Sequence, residues 1–326
     1  MKTRWFWIIL ALATPLVIWF CLIMGSTSFG FPDTATFSGK AILDLRISRV
    51  LCGLIVGAAL SCAGVVFQAV LRNPLAEPYI LGVSSGAGLG AAIAILTGLS
   101  TFSGFALPGA AFVAAALTLW LVFLLASDGQ HAPSVYSLIL SGVIISSIAS
   151  SILMFMVSTA SLEGVHSVLW WLLGNLQPAS PHILQATGSV VVAGGIILWL
   201  MSRELNALTL GREMAHHLGI RSQLVITLAL AMATLITAAA VGIAGLIGFV
   251  GLIVPHVVRH LVGPDHRRLI PASAIAGGLF LALCDAIARR VMAPIEIPVG
   301  VVTAICGGPF FLIILRLKRK QGWVAS

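Results

Sequence analysis

The sequence predicts an all-α polytopic membrane protein of about ten transmembrane helices with both termini cytoplasmic. Three observations predict it. Of 326 residues, 59% are hydrophobic and only 9% charged. A soluble domain carries about one quarter charged residues, and a water-soluble fold could not bury this much apolar surface. The apolar residues come in windows of roughly 20, the length that a helix rising 1.5 Å per residue needs to cross a bilayer. Finally, basic residues favour one side. With the N-terminus inside, Lys40, Arg46, Arg49, Arg289 and Arg290 fall outside, and the remaining thirteen of eighteen lysines and arginines fall inside, as the positive-inside rule requires. The whole chain, 1–326, reads as one transmembrane domain.

In chain order the expected spans are 5–25, 50–71, 79–99, 104–126, 137–158, 183–202, 224–241, 243–262, 271–290 and 299–317. Lys2 and Arg4 precede an apolar run that is too long for a signal-peptide core and lacks an A-x-A site, so it is expected to be a retained helix. The seventh and eighth spans are one apolar stretch, divided near Gly242 because 224–262 is about twice one crossing. "HSVLWWLLGNLQP", His166 to Pro178, is too short to span and suits a helix on the outer surface with interfacial tryptophans.

The formal charge of +8 is thus mostly a topology signal. A nucleic-acid partner would want a basic face on a soluble module, and none is left over. No G-x-x-x-x-G-K-[ST] pattern occurs, so ATP is not expected to bind by that route. The five cysteines lie in apolar runs without a C-x-x-C pair, which points to buried hydrophobes rather than a disulfide or a metal cluster.

Among ten acidic residues only Asp285 falls within a span, near its outer end and four residues before Arg289. That spacing lets the pair satisfy itself. With no carboxylate at mid-membrane, a proton- or sodium-coupled secondary carrier is disfavoured, although coordination through carbonyls stays open. A membrane enzyme would need His, Asp or Glu converging at one depth, and the histidines are scattered.

Gly53 and Gly57, then Gly82, Gly86 and Gly90, recur every fourth residue and suit close helix packing; lining a path is the other reading. Span five is rich in serine, including Ser137 and Ser141, which either bond back to carbonyls or line a wet cavity. The loop 203–223 is amphipathic, with Leu205, Leu208, Met214 and Leu218 near helical spacing. It is expected to form two short helices broken at Gly211 and stopped at Gly219. An interfacial helix and a lever docked on a partner both fit.

Four separated motifs carry a resemblance: "LRISRVLCGLIVGAALSCAGVVFQAVLRNPLAEPYILGVSSGAGLGA", "LNALTLGREMAHHLG", "IGFVGLIVPHVVRHLVGPDHRRLIP" and "EIPVGVVTAICGGPFF". Together they resemble the transmembrane permease subunits of bacterial ABC importers for iron chelates, haem and vitamin B12, the FecCD/BtuC-like family, over nearly the whole chain. The resemblance implies the type II ABC importer permease fold in the inner membrane, with a second copy of the permease around a central path. It implies two cytoplasmic ATPase subunits, which bind the ATP and magnesium, and a periplasmic or lipid-anchored substrate-binding protein. No cofactor or metal is implied on this chain. Segment 203–222 would be the coupling segment, with Leu205, Leu208, Leu210, Gly211, Ala215, Leu218 and Gly219 in contact with or positioned for the ATPase. Arg46, Arg49 and Arg289 would stand at the outer helix mouths and meet carboxylates of the binding protein. Asn73 and Leu75, in the Pro-pinned turn "NPLAEP", and the Ser134–Ser141 segment (Ser134, Ser137, Ser141) would border the inner gate. A plain surface turn remains the alternative for Asn73 and Leu75.

Overall fold

The computed structural model describes residues 2–25, 29–127 and 134–320, and among them the only regular elements longer than one turn are helices. In chain order they are α1 (Lys2–Ile23), α2 (Phe37–Val70), α3 (Val83–Leu96), α4 (Ala106–Ala126), α5 (Val135–Ser158), α6 (Leu162–Leu172), α7 (Pro181–Leu200), α8 (Ser202–Thr209), α9 (Arg212–His217), α10 (Ser222–Ala244), α11 (Val250–Val262), α12 (His266–Arg290) and α13 (Val299–Lys320). Seven of these, α1, α2, α4, α5, α7, α10 and α12, are long and apolar enough to cross a membrane, while α3, α11 and the first sixteen residues of α13 are apolar but shorter.

Each expected span coincides with a helix, but two boundaries differ for physical reasons. Helix α2 starts at Phe37, where the Thr36 side chain caps Gly39 N–H, and not near residue 50. Its 34 residues extend about 51 Å, well beyond a ~30 Å hydrocarbon core. Lys40, Arg46 and Arg49 therefore ride on a helix and not on a loop. Helix α10 runs through Gly242 to Ala244, and the chain breaks over 245–249, where Gly245 and Phe249 both have φ of 69°. Phe249 is a non-glycine residue in the left-handed region, a conformation that persists only where neighbours enforce it. Its own N–H bonds to Glu77, and two residues earlier the Tyr79 hydroxyl donates to Ile247 O at 3.0 Å and accepts from Ile247 N–H at 3.2 Å.

The core is made by α2 against α12, α10 and α11. Glycine is needed where backbones touch. A Cβ at Gly57 would fall on Gly277 O of α12, and one at Gly64 on Gly251 O of α11. In lipid, where helices have no hydrophobic drive to associate, such close contact supplies the dispersion that holds them. Gly86 and Gly90 likewise nest α3 on Thr118 and Ala110 of α4. Gly82 does something else: with φ of 79° it turns the chain from a 3₁₀ turn, Pro78–Leu81, into α3. Four of the cysteines are buried in these interfaces and Cys306 is exposed, all as free thiols.

Candidate functional site

Segment 203–222 folds as the two short helices its periodicity predicts, α8 and α9, separated at Gly211 with φ of 113°. Helix α9 ends in a Schellman motif: Ile220 N–H donates to Ala215 O and Gly219 N–H to His216 O, with Gly219 left-handed at φ 76°. Of the seven expected residues Gly211 and Gly219 make the break and the stop, and the amphipathic pattern sorts the other five into two sets. Leu205, Leu208 and Ala215 are buried and anchor the segment. Leu210 and Leu218 are 65% and 63% exposed, with Met214 between them at 57%. The foot thus grips the bundle with one face and presents an apolar tip on the other. A Cβ at Gly211 would sit 3.7 Å from the Arg72 guanidinium, so the break has room, and its positive φ is what calls for glycine.

The foot is also tied to the turn before α12. Asn206 Nδ2 donates to Asp265 Oδ1 at 2.8 Å, and Asp265 caps α12 by accepting from Arg267 N–H at 3.1 Å. The Asn206 amide, with the Arg267 amide and the nearby Arg268 and Arg267 charges, holds the Asp265 carboxyl below its ordinary range.

At the opposite end of the bundle the three expected arginines come together, but they do not stand free. Arg46 and Arg289 are only 5% and 2% exposed. Arg46 Nη1 donates to Leu22 O (2.9 Å) and Gly30 O (2.7 Å). Arg49 Nη2 pairs with Asp285 Oδ1 at 3.0 Å and its Nη1 with Glu296 Oε2 at 2.8 Å. Arg289 Nε pairs with Asp285 Oδ2 at 3.0 Å, and its Nη2 donates to Cys21 O at 3.3 Å. The three guanidiniums are held within the chain for a simple reason. The N-terminal extension of α2 lies against α1, α12 and the loop after α12, and desolvated guanidiniums must find carboxylates or carbonyls there. The i,i+4 pairing of Asp285 with Arg289 is as expected; the bridges to Arg49 and Glu296 are additional. Around them lies a crevice of about 200 Å³ lined by Arg46, Arg49, Arg289 and Glu296.

The Pro-pinned turn is tightly formed. Asn73 Oδ1 accepts from Leu75 N–H at 2.9 Å, and Leu75 is exposed. Glu77 is half-buried and accepts from Phe249 N–H; burial raises its carboxyl above the ordinary range despite that bond. Ser134 caps α5 by accepting from Ser137 N–H, and the two hydroxyls lie 2.8 Å apart. Ser141 is buried, and its neighbour Gly142 packs on the backbone of Ile80 and Leu81. Elsewhere in α5, Ser147 and Ser151 bond back to Val143 O and Ser147 O.

Sequence reasoning did not single out Asn206, Glu296 or Tyr79. Only Glu296 carried a signal, as a charge beside an apolar run.

Residues 9–317 match the FecCD transport family. The chain belongs to this family. Its relatives include the cobalamin import system permease protein BtuC of Halobacterium salinarum, 42% identical over 90% of this chain and 77% of that protein. The hemin transport system permease protein HmuU of Yersinia pestis is 34% identical over 86% of this chain and 84% of its own. A solved inward-facing conformation of a metal-chelate type ABC transporter superposes with a TM-score of 0.86 at 31% identity, covering 96% of this chain and 99% of that one. FecCD proteins are permeases of ABC importers for vitamin B12, haem and iron chelates, with the ATPase on a separate subunit, and this chain is accordingly a multi-pass membrane permease.

Proposed function

We propose that this FecCD permease carries a bulky metal chelate (a ferric siderophore, haem or cobalamin) across the inner membrane by alternating access, as one of two copies around a shared path. The chain crosses ten times with both termini in the cytoplasm, so that the foot meets two ATPase subunits, which hold the ATP and magnesium. A periplasmic or lipid-anchored binding protein delivers cargo at the outer end.

The observation that carries the reading is the two-faced foot. A short helix pair anchored by Leu205, Leu208 and Ala215 offers Leu210, Met214 and Leu218 to the cytoplasm, as a lever seated in a partner's groove would. Nucleotide-driven movement of that lever shifts the population between inward- and outward-open states. Asn73, Leu75, Ser134, Ser137 and Ser141 are assigned to the inner gate. At the outer end Arg49 is the docking group nearest to solvent, with a side chain 13% exposed and a partner, Glu296, 32% exposed; Asp285, itself paired with Arg289, holds it from the buried side. A carboxylate of the binding protein would compete with Glu296 for Arg49, which steers docking more than it adds affinity.

The test is reconstitution in liposomes with the cognate ATPase and binding protein, offering cyanocobalamin, haemin and ferric siderophores. ATP-dependent accumulation of one of them is expected, with none by the permease alone. Concentrative uptake by the permease without an ATPase would overturn the reading.

A further inference from the structure

We infer that Asn206 is a positioning residue that makes the foot and α12 move as one body, so that a displacement at the cytoplasmic surface reaches the outer ion cluster through α12. The inference rests on the reading of 203–222 as the ATPase-coupling segment.

Both polar atoms of the Asn206 carboxamide are engaged, and the bonds they make leave α8 for the start of α12. Its Nδ2 donates to Asp265 Oδ1 at 2.8 Å. Its Oδ1 accepts from the His266 backbone N–H at 3.0 Å and lies 2.6 Å from His266 Nδ1. The orientation is fixed, because a flipped amide would aim NH₂ at a backbone donor and turn its oxygen to a carboxylate. Since the Asn206 oxygen only accepts, His266 Nδ1 carries the proton. The first N–H groups of a helix have no partner within it. Here the foot supplies that partner for α12. The joint is half-sheltered: Leu205, Leu208 and His266 are buried, and Asp265 is partly exposed.

A second contact reinforces the same end. Pro271 lies in the second turn of α12 and has no N–H to give to the carbonyl four residues earlier, Arg267 O. Trp199 Nε1, at the end of α7, takes that carbonyl at 3.0 Å. The residues on both sides of the α7–α8 junction therefore hold α12 by its first turn.

From there α12 continues for 25 residues, about 37 Å. Its last turns carry Asp285 and Arg289, which bind α2 through Arg49 and α1 through Cys21 O. One stiff element thus has its lower end clamped to the foot and its upper end clamped to the outer arginines. Such an element transmits position without any side-chain relay between the ends.

The test exchanges the two partners. Asn206→Asp sets two carboxylates against each other at the joint. Asp265→Asn leaves a neutral amide pair and a good helix cap. Combined, N206D/D265N returns one carboxylate and one carboxamide to the joint and removes the repulsion. In the wild type Asp265 Oδ1 alone accepts from both Asn206 and Arg267 N–H, so the amide introduced on the cap must rotate, giving its nitrogen to the carboxylate introduced on α8 and its oxygen to Arg267 N–H, while that carboxylate still accepts from His266. Measured in proteoliposomes with the ATPase and binding protein, the readout is cargo moved per ATP hydrolysed, alongside the melting temperature of each complex. The expected result for N206D is continued ATP turnover with uptake per ATP lowered about tenfold, the scale of losing a hydrogen bond to a charged group. The double variant is expected to recover to within about threefold of wild type. Should N206D fail to assemble, Asn206→Ala takes its place. It removes the bonds without adding charge and is expected to uncouple while the double variant does not. Wild-type coupling in the Asn206 single variant, or a double variant as uncoupled as the single, overturns the inference. Leu210→Glu separates this failure from that of the functional reading. If it uncouples while N206D does not, the foot stands and the joint falls. If neither uncouples, the foot itself is misassigned and both fall.

Discussion

Asp285→Asn tests the outer ion cluster most sharply. The side chain of Asp285 is 3% exposed and receives Arg49 on one oxygen and Arg289 on the other, each at 3.0 Å. The amide has the same shape but keeps one acceptor and turns an NH₂ toward a guanidinium. Two buried cations then share what one carboxylate neutralised. Removing one member of a buried pair costs about 3–5 kcal/mol, because the partner charge is left desolvated. Glu296 offers an internal comparison, since it meets the same Arg49 at 2.8 Å but is 32% exposed. Glu296→Gln should therefore cost no more than about 1 kcal/mol, the range of solvent-screened pairs. Reversible unfolding in mixed micelles, titrated with a denaturing detergent, measures both variants on one scale. Equal losses for the two, or a loss below about 1 kcal/mol for Asp285→Asn, would refute the claim that burial sets the strength of this cluster.

The foot predicts a clean division. Leu205→Ala, at a buried anchor, should cost about 2–5 kcal/mol of stability. Leu210→Glu, at the exposed tip, should leave stability within about 0.5 kcal/mol and abolish ATP-driven uptake; parallel unfolding and transport assays distinguish the two. Glu77 predicts a pH dependence. Burial raises its carboxyl above the ordinary range, so folding favours the protonated form. Stability from this group is complete below the ordinary carboxylate range and is lost as pH rises through the raised value. Glu77→Gln keeps an acceptor for Phe249 N–H and removes the charge. The variant should be the more stable at about pH 8 and converge with wild type near about pH 4, as unfolding at both values would show; a pH-independent difference would count against the assignment.

Much of this architecture is legible in the sequence because hydropathy and helical period are local. The ten apolar windows each hold a helix, the break at Gly211 and stop at Gly219 fall where their residues stand, and the four motifs point to the family that the chain belongs to. What escapes is the part written by distant residues. A window of about 20 reads only the apolar portion of α2 and misses the mixed stretch that carries Lys40, Arg46 and Arg49 outward. Arg49 finds Asp285 across 236 positions of chain and Glu296 across 247, so nothing near Arg49 announces that it is paired. The same holds for Asn206, whose surroundings in sequence read only as an amphipathic helix, while its partners Asp265 and His266 lie 59 and 60 positions on. The apolar run around Gly242 holds Gly242, Gly245, Gly248 and Gly251 with nothing local to single out Gly245 as the break, and Tyr79 pins the linker at Ile247 from the other half of the chain.

The brevity of α3 and α11 bears on how the polypeptide is born. On the proposed ten-crossing topology, helices of 14 and 13 residues reach about 20 Å and leave roughly 10 Å of an oily slab for irregular chain to cross. Bare peptide groups are not tolerated by lipid tails, so neither stretch can leave the insertion machinery alone. Each then needs protein walls, and the phenol of Tyr79 on Ile247 is part of one. The long helices settle first, and the short ones are admitted only into the shelter these have built.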